Sequence, residues 1–385
     1  MSATTANPSP LTYVLMLAAS LLGPALFVWP LHVVVRAGQN ALWGVLLAAS
    51  WAILAAWLHS PRPNAEARAD GCVQTALDSL GMILLLGIDV LMLVLLAGML
   101  KAFFLYETPR WACIFPLLAV VMWWTGHGRS APARITAFWL PWMLIVSLAF
   151  GSLALTNATY FRAALPSTDC RLSQVVAAAY TTAYLGVPLG LTVRRLGGTV
   201  AGGPGSRYAV FGVLLAGSIL LLIYGLNLAT LGPDALVHLR WPSVFTLEQV
   251  TLDSAFFISR VGIAVIFVWT LGVAMAVLMH FHLATRLWVP PHRSQRRWIV
   301  TGVMGLLVAG ASNLVLSPLA ATHLILHLVN PLAVAYLGID TLAGIGHRWR
   351  TRKQPPEHAR PPGHSGPGRR PPSNRPPAPV PDPRH

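Results

Sequence analysis

The chain has 385 residues, 55% of them apolar and only 10% charged, with a mean hydropathy of +0.62. That balance is too apolar for a water-soluble protein of this length. The net charge of +15 does not mark a nucleic-acid binder, because nine of the 27 Lys and Arg follow His347 in a Pro/Arg-rich end.

Ten apolar runs follow one another, each near the roughly 20 residues that a bilayer requires. After an N-terminal stretch over 1–10, the first spans Leu11–Val35 and carries Ser20-Leu21-Leu22-Gly23-Pro24-Ala25 near its middle. It has no positive charge ahead of it and no cleavage-site pattern, so it reads as a membrane helix rather than a signal peptide. Ala41–His59, Val73–Phe104, Trp111–Trp124 and Ile135–Leu155 complete a first group of five. The sixth, Leu172–Val193, is interrupted by Tyr184-Leu185-Gly186-Val187-Pro188. Tyr208–Leu231, Ala255–Ala284, Arg297–Leu316 and Pro318–Gly338 complete the second five. Proline inside a helix removes a backbone donor and clashes with the preceding turn. In lipid, backbone freed in this way must be buried in protein or line a cavity. Breaks in the first and sixth runs, five helices apart, predict an all-α membrane protein of ten transmembrane helices. Its two halves form a five-plus-five inverted repeat with helices 1 and 6 broken around a midplane site.

Basic residues set the expected orientation. One set of loops and helix ends carries Arg62, Arg129, Arg194 and Arg293 among others, and outnumbers the set with Arg36, Lys101 and Arg240. With the basic end joined to the richer set, both termini are expected in the cytoplasm. The stretch 347–385, rich in Pro, Arg, Gly and Ser, has too little apolar surface to fold and is expected to be a disordered tail.

A ligand site is expected where the two breaks meet. Half-helix ends offer free N–H groups on one side and free carbonyls on the other, which suits the carboxylate and ammonium of an amino acid. Ser20, Leu22, Gly23 and Ala25 of the first run, with Thr181, Thr182, Tyr184 and Gly186 of the sixth, are the candidates. Gly23 and Gly186 would admit close backbone approach, and the hydroxyls of Thr181, Thr182 and Tyr184 would add polar contacts. The alternative is a pair of ordinary proline kinks with hydroxyls bonded back to freed carbonyls. Asp89, set among Ile88, Val90 and Leu91, is a functional candidate by its depth, as a ligand for an ammonium or as a proton carrier. Asp78 is expected to be a hydrated interfacial group, and His280 and His282 to end the eighth helix at the cytoplasmic interface. His323 and His327 share a helix face, but no acid or cysteine completes a metal site near them. Asn227 and Asn313 read as polar contacts between helices. No metal, no cofactor and no catalytic arrangement is expected.

Several motifs carry a resemblance. Leu26-Phe27-Val28-Trp29-Pro30 followed by Ala37-Gly38-Gln39-Asn40-Ala41-Leu42-Trp43 resembles the first helix and turn of the spore germination receptor B subunits. Glu107-Thr108-Pro109-Arg110-Trp111 resembles that family's entry to helix four, and Gly126 to Ile135 its link to helix five. Arg240-Trp241-Pro242-Ser243-Val244-Phe245 resembles the segment before helix eight. Ser259-Arg260-Val261 with Phe267-Val268-Trp269-Thr270-Leu271-Gly272-Val273 resembles that helix itself. The family belongs to the amino acid–polyamine–organocation superfamily of ten-helix inverted-repeat proteins. The resemblance implies a nutrient-sensing, permease-like subunit that works with germination receptor A and C subunits in the spore inner membrane. Three departures stand out. Gly23-Pro24-Ala25 replaces the family's Gly-Thr-Gly, Trp29-Pro30-Leu31 replaces Leu-Pro-Arg, and Pro188 stands where helix six has a glutamate. A proton-coupled amino-acid permease and a scaffold subunit without ligand binding remain the other readings.

Overall fold

The computed structural model describes residues 8–58, 72–128, 130–156, 158–165, 171–197, 200, 205–248, 261–289, 293–315 and 317–352. Every regular element in them is helical. α1 (Pro10–Ala37) leads through a short 3-10 turn to α2 (Ala41–Leu58), followed by α3 (Cys72–Phe103), α4 (Arg110–Gly126) and α5 (Ala131–Leu155). α6 (Leu172–Thr181) and α7 (Gly186–Leu196) are separated by a 3-10 turn over Ala183–Leu185 and bent by 43°. Then come α8 (Gly205–Leu236), the short α9 (Pro242–Glu248), α10 (Val261–Trp288) and α11 (Ser294–Leu314). α12 (Pro318–Leu324) passes through a π-helical turn, Ile325–Val329, into α13 (Asn330–Arg352). The stretch expected to be a disordered tail lies, past Arg352, outside the described residues.

Each expected run thus meets helix in the expected order. Among the described residues seven helical stretches are long and apolar enough to cross a membrane, eight when α6 and α7 count as one bent span. Pro10–Ala25 within α1 and Arg110–Gly126 are shorter apolar helices.

α1, α3 and α10 form the centre. Leu17, Ala18 and Ala25 of α1, Leu85 and Ile88 of α3, and Val273 to Met279 of α10 are buried. α5 lies at the rim, with Phe138, Trp142, Ile145 and Leu148 exposed. Apolar side chains facing lipid cost nothing, so a membrane bundle is apolar all round and only packing separates inside from outside. Small residues set the central contacts. A Cβ on Gly23 would overlap that of Ala276, and one on Gly98 would overlap the Pro318 ring, so α10 and α12 approach the backbones of α1 and α3 closely.

α8 turns sharply at Gly232, whose φ of 75° is open to glycine without strain, and Pro233 follows. α9 is held on α8 by Asn227. Its side-chain amide donates to Ser243 at 2.8 Å, and its oxygen accepts from Thr246 at 2.9 Å, which makes Asn227 the interhelical contact expected of it.

Candidate functional site

The sixth run breaks as its sequence predicts. Pro188 has no N–H for the carbonyl of Tyr184 one turn back, and the chain tightens into a 3-10 turn that leaves the amide of Tyr184 without a helical acceptor. Asn330, at the start of α13, supplies one: its Oδ1 accepts from Tyr184 N–H at 3.1 Å. The Tyr184 hydroxyl crosses to α1 and donates to the carbonyl of Pro24 at 3.1 Å. Tyr184 and Asn330 are buried, so these bonds form away from water.

The first run does not break. α1 is helical from Pro10 to Ala37, straight through Gly23 and Pro24. The reason lies in what receives the freed carbonyl. Pro24 cannot donate to Ser20 O, but Nε2 of His280 stands 3.3 Å from that oxygen. Gly23, lacking a side chain, lets α1 lie against Ala276 and the backbone of Gly272, so α10 supports the helix at its weakest turn.

The expected site residues fall into three groups. Ser20, Leu22, Gly23 and Ala25 are all buried in α1, where Gly23 lies against α10 and the Ser20 carbonyl meets His280 of the same helix. The Ser20 hydroxyl donates to Leu17 O at 2.8 Å. Thr181 and Thr182 flank the joint, and their hydroxyls bond back to Ala177 O at 2.8 Å and Ala179 O at 2.6 Å. Of these three residues Tyr184 is the one whose hydroxyl bonds to another helix, and Tyr180, in the last turn of α6, reaches Leu326 O at 3.4 Å. Gly186 faces α13, where an added Cβ would press on the end of Leu337. Both glycines serve helix packing.

Asp89 is fully buried and meets a partner that the sequence placed elsewhere. Nδ1 of His280 lies 2.6 Å from Asp89 Oδ1, and both side chains are 0% exposed. The expectation that His280 and His282 sit at the membrane interface is therefore corrected: both are buried. α10 continues to Trp288, beyond the expected end at Ala284, and that carries His280 two turns inside the bundle. Asp89 Oδ2 and Asn330 Nδ2 are buried with no hydrogen-bond partner among the described residues.

Asp78 is corrected in the same way. It is 1% exposed rather than hydrated, and its Oδ1 pairs with Arg194 at 2.8 Å. Arg195 also contacts Asp78, and Arg194 reaches Asp340 and the hydroxyl of Tyr336 on α13. Arg194 and Arg195, counted as loop cations in the sequence, close off one end of the bundle by joining α3, α7 and α13. His323 and His327 stack with ring centroids 4.2 Å apart. Among the described residues no three of His, Cys, Asp or Glu are grouped as metal ligands.

A cavity of about 50 Å³ lies between α5, α8, α9 and α10, lined by Phe150, Asn227, Ser243 and Trp269 among others, and does not reach Asp89 or the joint.

The order of helices, the bent sixth span and the buried polar joint fit a permease architecture, and the sequence match agrees. The model of the family described as spore germination protein, the spore permeases, matches residues 9–288. The chain belongs to this family. No curated protein matches it. Among solved structures it is similar to MhsT in complex with L-phenylalanine, with 15% identity over 89% of this chain and 92% of that one and a TM-score of 0.54. At that identity the likeness concerns the fold. This spore permease is thus a multi-pass, helical membrane protein with a permease-like fold.

His280, Asn330 and the Pro24 carbonyl are the partners of the candidate residues that the sequence did not point to. A signal for His280 existed. Within Val261–Ala284 it and His282 are the ionisable residues of an otherwise apolar stretch, as Asp89 is between Asp78 and Lys101. Two such residues on different spans are candidates for pairing.

Proposed function

We propose that this spore permease is the nutrient-sensing subunit of a germination receptor. It binds a small nutrient, an amino acid, at the α6–α7 joint against α1, and passes the change to A and C subunits. The observation that carries the reading is the set of polar groups closed on one another at the joint. Releasing Tyr184 from α1 and α13 offers the Pro24 carbonyl as an acceptor for an ammonium. It also offers the Tyr184 amide and Asn330 Nδ2 as donors for a carboxylate. Such a ligand takes over bonds the protein already makes, so binding exchanges partners instead of stripping water from bare groups. The phenylalanine held by MhsT, at the same coarse fold, supports an amino acid as the ligand class. Ten spans in two inverted halves, both termini in the cytoplasm, and a spore or cell inner membrane complete the proposal. The Asp89–His280 pair favours a second reading, proton-coupled uptake of the same ligand.

The test is thermal unfolding of the purified chain in detergent with each common amino acid. A ligand at about 100 times its Kd stabilises the native state by about 2.7 kcal/mol. One amino acid or a small chemical group of them raises the midpoint, and Tyr184→Phe with Asn330→Leu removes the effect. A flat response across the panel contradicts nutrient binding and leaves a scaffold role.

A further inference from the structure

Ser20 O, freed by Pro24, the imidazole of His280 and the carboxyl of Asp89 stand in a row across α1, α10 and α3, and all three residues are 0% exposed. A carbonyl oxygen only accepts, so a bond from His280 Nε2 to Ser20 O requires a hydrogen on Nε2. At Nδ1 two arrangements are open: the ring donates to a carboxylate, or a carboxylic acid donates to the ring. The first is an imidazolium with a carboxylate, the second a neutral ring with a neutral acid. Both hold two dissociable protons and have no net charge. Take one proton away, and the remaining one sits between Nδ1 and Asp89. Nε2 is then bare, its lone pair faces the lone pairs of Ser20 O, and a net negative charge is left in a dry site. An unpaired buried charge is costly, and among the described residues Asp89 Oδ2 has no donor to offset it.

We propose that Asp89 and His280 form a proton-binding site whose second proton clamps α1 to α10 through the Ser20 carbonyl, so that proton loss releases α1 at that turn. This goes beyond nutrient binding and does not rest on it. Pro24 is the element of sequence that makes the clamp necessary, since any other residue there would satisfy Ser20 O within the helix.

Asp89 is the ionisable group paired with His280. On α1 the neighbours toward the N-terminus are apolar as far as Tyr13, seven residues from Ser20, and His32 and Arg36 lie toward the other end. On α3, Asp78 is 11 residues from Asp89, about 16 Å along the helix, and is tied to Arg194 and Arg195 of α7. Lys101 ends α3. α4, α5, α9 and α11 carry their charges near their ends, at Arg110, Arg134, Glu248, Arg296 and Arg297. On α10 itself His282 and Arg286 follow toward its C-terminus.

The test places a thiol at the clamp. Ser20→Cys keeps the backbone carbonyl, and Cys72, Cys113 and Cys170 are replaced by serine. The full chain in detergent, without nutrient, is labelled with a small maleimide between about pH 5 and about pH 9. Rates are divided by those of the unfolded chain at the same pH. The normalised rate rises by about tenfold across the range as the clamp opens. Pro24→Ala, which restores the amide donor, stays protected throughout. His280→Gln, whose amide donates at every pH, does the same. A rate independent of pH, or a Pro24→Ala chain that opens with pH as the parent does, overturns the proposal. Neither result bears on the amino-acid panel, so the two readings fail separately.

Discussion

Asn330 keeps the break in the sixth span from leaving a bare amide in the bundle. Replacing it by leucine preserves size but strands Tyr184 N–H, and a buried unsatisfied donor costs about 1–3 kcal/mol. Asn330→Leu should lower the unfolding free energy by that amount in a denaturant titration, whereas Tyr184→Phe, which removes one hydroxyl bond, should cost about 1 kcal/mol. At Asp89 the chemistry of the replacement decides the outcome. An asparagine amide donates to Nδ1 as a protonated carboxyl would, leaving the Nε2 hydrogen on Ser20 O. Asp89→Asn is therefore expected to keep the stability of the parent at low pH. Asp89→Leu leaves Nδ1 without a partner and is expected to lose about 1–3 kcal/mol in the same measurement. Residues of this kind are hard to read from sequence, because Asp89 and His280 are 191 positions apart and Tyr184 and Asn330 are 146 apart. The sequence shows the depth of Asp89 but not its partner.

Between elements, the two glycines expected to face a ligand make a direct comparison. Gly23 lies against a Cβ and a backbone oxygen of α10, neither of which can turn aside, while Gly186 lies against the mobile end of Leu337. Gly23→Ala should therefore destabilise by about 1–3 kcal/mol as α1 is pushed from α10. Gly186→Ala should cost less, as a shift in thermal midpoint would show. The helices themselves were legible, because uninterrupted apolar runs of bilayer length leave few alternatives. The break at Thr182–Leu185 was legible too, through Pro188 and the glycine before it. The break expected at Gly23-Pro24 was not found. α1 continues through Pro24, and the donor that meets the freed Ser20 carbonyl, His280, comes from a helix far along the chain. Tyr184, a candidate by its position in the broken span, bonds to the Pro24 carbonyl of α1.

For the whole molecule, Arg194 ties three helices at one end of the bundle. Removing it leaves Asp78 and Asp340 short of a cation in a buried place, and breaking a buried pair by losing one partner costs about 3–5 kcal/mol. Arg194→Gln is expected to fold less stably by that order, with partial recovery in Arg194→Gln/Asp340→Asn, read by thermal unfolding at one fixed detergent concentration. The charge count along the loops had no means of showing this, since an arginine drawn at a helix end looks the same whether it faces headgroups or two carboxylates. Family membership and the MhsT-like fold agree with the permease architecture that the helix order suggested. The most direct test is the structure of the chain bound to the amino acid that stabilises it best, determined by electron cryomicroscopy. The ligand carboxylate is expected on Tyr184 N–H and Asn330, its ammonium on the Pro24 carbonyl, and the Tyr184 hydroxyl released from α1. A ligand seated elsewhere, with the bond from Tyr184 to Pro24 intact, would contradict that expectation.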